Sequence, residues 1–177
     1  MRTLLLSAAL ILPAAAFAAS SDDSSEPATT ETTTECTDGM VWSDDAQACV
    51  APEDSSMNDD RRYRAVRELA HAGRYDDALR VLAAMSDPQD DRVLTYLGFI
   101  HRQQGETELG FAYYRKAIAA NPDNLLARSY MGQGFVDEGR LQEAYAQLVE
   151  IRTRGGAGGW PEVALRRAIE TGVTTSY

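Results

Sequence analysis

Lysine is nearly missing from this chain, which carries one against sixteen arginines, and cysteine and histidine occur only twice each. No Cys-x-x-Cys, His-Glu-x-x-His or glycine-rich phosphate loop is present, and no nucleophile stands with a matching base. The sequence therefore offers no catalytic residue, no metal-ligand cluster and no cofactor motif, and reads as a non-enzyme. Long apolar runs are also absent. The one over residues 4–12 is far short of the roughly 18 apolar residues that a membrane-spanning helix needs. A basic amphipathic stretch suited to an anionic membrane is missing too, and so is the concentrated basic surface that phosphate backbones require, which argues against a nucleic-acid partner.

What is there begins with Arg2, the apolar run and small residues ending in Ala16-Phe17-Ala18. This is the pattern of a secretory signal peptide cleaved after Ala18, so residues 1–18 are expected to be removed and the product to be periplasmic or secreted. Arginine bias of this kind suits a bacterial gene of high GC content. The formal charge of −10 is unevenly placed. Residues 19–60 hold twelve acidic side chains and no Lys or Arg, whereas residues 61–177 hold fifteen acidic against sixteen basic. Residues 19–35, rich in Ser, Thr, Asp and Glu, have almost nothing to bury and are expected to be disordered.

Cys36 and Cys49 bracket the next segment. Two cysteines in an exported chain are expected to pair, which would constrain the unfolded chain by roughly 3 kcal/mol for a loop of this length. Met40-Val41-Trp42 has strand character and Ser43-Asp44-Asp45 is turn chemistry, so residues 36–49 read as a stapled hairpin with Trp42 covering the disulfide. Residues 50–58 read as a linker.

Beyond the linker the chain repeats itself at an offset of 34. Leu97 falls on Met131, Gly98 on Gly132, His101 on Phe135, Gly105 on Gly139, Gly110 on Ala144, Tyr114 on Leu148 and Ala117 on Ile151, and Pro122 follows Pro88 by the same interval. An earlier copy runs through Ala65, Leu69, Gly73, Tyr75, Ala78 and Leu82, but Gly73 precedes Gly105 by 32, so its second helix should be about half a turn short. Gly73, Gly105 and Gly139 are expected to close the first helices in the left-handed conformation. Pro161 at a first helical position starts a final helix. The run of residues 155–159, four of them glycine, reads as a flexible joint before it.

Small-residue helix, glycine turn, second helix and proline in that order resemble the tetratricopeptide repeat, whose pattern is W-x2-L-G-x2-Y, A-x3-F, P. The copy that starts at Leu94-Thr95-Tyr96-Leu97-Gly98 carries the likeness best. The resemblance implies an all-α fold: an α-solenoid of about three helix pairs plus a capping helix, over residues 59–172, with repeats at 59–90, 91–124 and 125–154, the cap at 160–171 and a tail at 173–177. It also implies a function, the binding of a peptide or protein partner in a concave groove lined by first helices. On that pattern Tyr63, Arg67 and His71 from the first copy, Arg92, Thr95, Phe99 and Arg102 from the second, and Tyr130 and Gln133 from the third would line the groove. Arg67, Arg92 and Arg102 are suited to a carboxylate, with a competing role in local pairs to acids such as Asp91 and Glu68. His101 is expected as a core ring and His71 as exposed. Asp76, Asp77, Glu106 and Glu108 favour the positive ends of second helices.

The hairpin supports a second reading. Its Cys, Gly, apolar, aromatic, Cys order resembles the last cysteine loop of peritrophin-like chitin-binding domains, without their other four cysteines. That implies a cell-wall or carbohydrate-binding protein targeted by residues 36–49. The tail supplies one more expectation, contact of its acidic residues with the arginine-lined groove.

Overall fold

A computed structural model describes residues 25–174. The expected leader, residues 19–24 and residues 175–177 lie outside that range. Among the described residues the protein is all-α apart from one small hairpin. Its elements are α1 Glu31–Thr34, β1 Val41–Ser43, β2 Ala48–Val50, α2 Asp59–His71, α3 Tyr75–Ala83, α4 Asp91–Gln103, α5 Thr107–Ala120, α6 Leu125–Asp137, α7 Leu141–Thr153 and α8 Trp160–Thr171.

Helices α2, α4 and α6 share a construction, each 13 residues long behind a polar cap. The Asn58, Asp90 and Asn124 side chains accept from the backbone N–H groups of Arg61, Arg92 and Ala127, satisfying donors that a helix start leaves open. Each ends at a glycine with φ between 71° and 86°: Gly73, Gly105 and Gly139. The residue after each glycine donates back to the carbonyl five positions earlier, Arg74 to Leu69, Glu106 to His101 and Arg140 to Phe135, which ties up the last carbonyls. The chain then folds back, so that α3 lies against α2, α5 against α4 and α7 against α6; α4 also touches α2 and α6, and α8 rests on both α6 and α7.

Small residues set these distances. A methyl group placed on Gly98 would fall 2.6 Å from the Tyr114 ring, and one on Gly110 would fall 2.8 Å from the Gly98 carbonyl, so α4 and α5 touch through their backbones. Gly132 does not repeat this arrangement. Its open side is filled by Leu165 of α8, not by its partner helix.

Three expectations change. Helix α3 has 9 residues against 14 in α5 and 13 in α7, a larger deficit than the two missing residues predict. The chain leaves α3 early because Ser86 turns back to the start of α2, donating from its backbone N–H and its hydroxyl to the Asp59 carboxylate. The glycine run before α8 is a tight corner instead of a loose joint: Gly156 is buried, donates to the Ile151 carbonyl and leaves no room for a side chain beside Leu125 and Ile151. In the expected linker, residues 50–58, Val50 still belongs to β2 and the rest is wound into turns, with Asp54 N–H donating to Ala51, Met57 N–H to Asp54, and the Met57 side chain buried.

From Ser25 onward the acidic segment is ordered, against the expectation for residues 19–35. The short α1 places Thr30 and Thr33 over Glu68 of α2, whose carboxylate accepts from both backbone N–H groups and both hydroxyls at 2.6–3.1 Å. Arg74 donates to the carbonyls of Thr32 and Thr33, and Arg80 to that of Asp38. Cys36 and Cys49 form the disulfide. The antiparallel ladder sets Trp42 opposite Cys49, and Val41 is buried in the same core as α2 and α3. A two-stranded hairpin gains its stability from such support.

Candidate functional site

The first-helix face is where α2, α4 and α6 come together, and its geometry is dominated by rings. Tyr63 meets Tyr96 edge-on with centroids 5.7 Å apart, Tyr96 meets Tyr130 at 6.0 Å, and Phe99 lies 4.8 Å from Tyr130 and 5.2 Å from the His71 ring, stacked on it. The His71 Nε2 is 2.7 Å from the Tyr130 hydroxyl, and the Tyr96 and Tyr130 hydroxyls are 3.3 Å apart. Tyr63, His71, Phe99 and Tyr130, expected from three separate copies, therefore form one continuous patch. Tyr96 is its centre, although the groove pattern left it out. The pointer to it in the sequence is that Tyr96 precedes Tyr130 by the repeat offset.

The patch is not an open groove. Tyr63, Thr95, Phe99, Tyr130 and Gln133 are buried almost completely, and Arg67, His71 and Arg102 nearly so; only Arg92 stays half-buried. Large rings from consecutive first helices interlock and leave little of each other's surface to solvent. Thr95 plays a different part from the one expected. Its hydroxyl donates to the Asp91 carbonyl and accepts from Asn124, whose amide also reaches the Asp91 carboxylate, so this network fixes the start of α6 on the start of α4.

The two histidines exchange their expected places. His71 is buried, because Tyr130 reaches across from α6 to meet it. His101 is partly exposed, stacked on Tyr113 at 5.4 Å with its Nδ1 2.7 Å from Glu106. Glu106 therefore serves His101 as well as the start of α5. Burial, helped by the Arg67 charge, pulls the His71 imidazole from its ordinary value down to about 3. A folded-state value below the unfolded one means that the unfolded chain binds more protons between these limits, so stability falls as pH drops from about 6.5 towards 3. Between pH 7 and pH 5 the loss assigned to His71 is about 2 kcal/mol. Urea melts at the two pH values should show that loss, and a His71→Phe variant should lack most of it; equal pH slopes in both proteins would remove the assignment.

The three arginines meet different fates. Arg92 is held by Asp90 and Asp60 at 2.9–3.0 Å, and its guanidinium lies over the Tyr63 ring. Arg102 donates to Asp137 at 2.6 Å and lies over Phe99. Both are paired locally, with acids other than Asp91 and Glu68. Arg67 instead donates from Nη2 to the backbone carbonyl of Ser25 at 2.6 Å. A main-chain carbonyl of the N-terminal segment thus already sits on the first-helix face.

The hairpin side has its own concavity, lined by Thr30, Thr32, Val41, Trp42, Arg64 and Glu68 among others. Its polar groups are largely committed within the protein. Trp42 Nε1 donates to Asp44, Arg61 pairs with Asp45 at 2.7 Å, and Glu68 is saturated by Thr30 and Thr33. Glu68, named from the sequence only as a local partner for the arginines, is instead the acceptor that anchors the N-terminal segment. The threonine-rich string before Cys36 was the available sign, a row of hydroxyl donors in need of an acceptor. Among the described residues no group of three or more His, Cys, Asp or Glu side chains is placed to hold a metal ion, and no helix is long and apolar enough to cross a membrane. No family model matches the chain, and comparison with curated proteins and with solved structures gives no match.

Proposed function

We infer that this protein is an interaction module that holds an extended peptide or protein segment on the first-helix face of three tetratricopeptide-like helix pairs. The bond from Arg67 to the Ser25 carbonyl carries this reading, because it is the interaction that a bound peptide would make. The succession α2/α3, α4/α5, α6/α7 with glycine turns at equivalent places supports the repeat assignment. The leader-like residues 1–18 and the cysteine pair support export to the periplasm or beyond, where a disulfide persists. In this reading Ser25 and the segment behind it act as a resident occupant, and a partner must displace them, so affinity is modest, with a Kd around micromolar.

The test uses a displayed library of random peptides with free and amidated C-termini, offered to the mature chain and to a chain lacking residues 19–30. Enriched peptides should bind the truncated chain about tenfold more tightly, a difference of about 1.4 kcal/mol, and should lose that affinity with Arg67→Gln while Arg67→Lys restores part of it. Failure of any peptide to enrich, or enrichment indifferent to Arg67, would overturn the reading. A second reading, glycan binding at the hairpin, draws on the half-exposed Trp42 ring at the edge of its cleft. It expects Trp42 fluorescence to change with chitin or peptidoglycan fragments, and a flat titration would dismiss it.

A further inference from the structure

Among the described residues most large apolar side chains are covered, and three of the five that are not stand on one helix: Leu141 at 45 %, Tyr145 at 53 % and Val149 at 55 % exposure. They are spaced four residues apart on α7, so they form a single stripe. The residues beside the stripe, Gln142, Ala146 and Thr153, are also exposed and uncharged. The charged Glu143, Glu150 and Arg154 project well away from it around the helix, and the exposed Arg152, seven residues after Tyr145, lies on the same face and closes its C-terminal end. This is unusual in a chain with 25 % charged residues.

The repeat offset explains why the stripe is uncovered. Tyr145 follows Phe111 by 34, and Phe111 is buried because Phe135 of α6 stacks on it at 4.8 Å. At the end of the series α8 takes the place of a next first helix, yet it leans into the space over Gly132 through Leu165 and leaves Tyr145 half open. At the other end of the array, α1 and the hairpin cover α2 and α3, so a second copy cannot add there head to tail.

We propose that the α7 stripe is the contact face of a homodimer in which two α7 helices lie antiparallel about a two-fold axis at Tyr145. The stripe is symmetric about that residue, so Leu141 of one copy meets Val149 of the other and the tyrosines meet at the axis, as an isologous contact requires. The same register sets Arg152 of each copy, seven residues after Tyr145, opposite the turn that enters α7 in the other, where Glu138 is exposed. Within one copy Arg152 is bridged to Glu162 and Glu138 to Arg140, so each end of the apolar seam is closed by these two ion pairs brought side by side, with Arg152 of one copy next to Glu138 of the other. Three apolar side chains from each copy make a small interface, and the dimer belongs to the weak class, with a Kd of order 10 µM.

Cysteine pairs test this directly, since both native cysteines are committed to one disulfide. Under mild oxidation at about 100 µM, ten times that Kd, Tyr145→Cys should form a covalent dimer at least tenfold faster than Arg167→Cys, a control exposed on α8. A mixture of Leu141→Cys and Val149→Cys should give the mixed dimer in preference to either homodimer. Sedimentation of the unmodified chain should show concentration-dependent association that Tyr145→Glu abolishes with an unchanged melting temperature. A chain that stays monomeric with equal crosslinking rates at positions 145 and 167 overturns the proposal. So does a dimer that survives Tyr145→Glu, which would place the contact elsewhere, and so does preferential Leu141–Leu141 crosslinking, which would mean parallel helices.

Discussion

A Gly98→Ala variant is expected to lose about 3 kcal/mol of stability and to melt roughly 10 °C lower, although alanine is the better helix former by up to about 1 kcal/mol. The added methyl would lie 2.6 Å from the ring of Tyr114 and 3.0 Å from the Gly110 carbonyl. Neither neighbour can give way. Tyr114 is fully buried between α4 and α5, and the carbonyl belongs to the backbone of the facing helix. The two helices must separate, and a well-packed core resists that. Gly105→Ala is the informative contrast. A methyl there meets nothing within 4 Å, but φ is +86°, so its cost is the left-handed strain alone, about 1 to 2 kcal/mol. Urea denaturation of the three proteins should rank them wild type, Gly105→Ala, Gly98→Ala. Equal stability of the wild type and Gly98→Ala would mean that the helices do not touch as described.

Glu68→Gln should free the N-terminal segment from α2. The carboxylate accepts four hydrogen bonds from two threonines, two from hydroxyls and two from backbone N–H groups. Bonds to an ionised acceptor contribute about 1.5 to 3 kcal/mol each, less when they share one group. A glutamine keeps the shape, and with its oxygen in the Oε1 position it retains three of the four contacts, but it sets an NH2 against the Thr30 hydroxyl and takes the charge away from the other three, so the docking weakens by about 3 kcal/mol. Amide exchange at Thr30 and Thr33 should accelerate by roughly a hundredfold, while amides in α6 keep their protection. Unchanged exchange at the two threonines would show that Arg74, the disulfide and Val41 suffice to hold α1.

The sequence conveyed the local parts of this fold well. Glycine turns, helix starts and the succession of seven helices over residues 59–171 follow from chemistry within one repeat, and the positive φ at Gly73, Gly105 and Gly139 is what that chemistry demands. Pairing of Cys36 with Cys49 was legible for a similar reason, since only one pairing exists. The site was legible as a set of residues and not as a surface. A repeat offset aligns Leu97 with Met131, but it says nothing of how α2 and α6 approach each other across α4. That approach buries His71 and covers the rings. The docking of residues 25–38 was hidden for a different reason, because much of its strength lies in polar groups on distant helices, the Glu68 carboxylate and the guanidinium groups of Arg67, Arg74 and Arg80, that no pattern within the segment reveals.

The hydrogen bond between His71 and Tyr130 has a consequence for how the domain comes apart. Stacked repeats that touch only their neighbours have stabilities that sum along the array, and their ends fray independently. Here a residue of α2 bonds directly to one of α6, with the rings of α4 clasped between them. Loosening any one pair exposes the other two, so melting should be concerted and should leave no half-unfolded array behind.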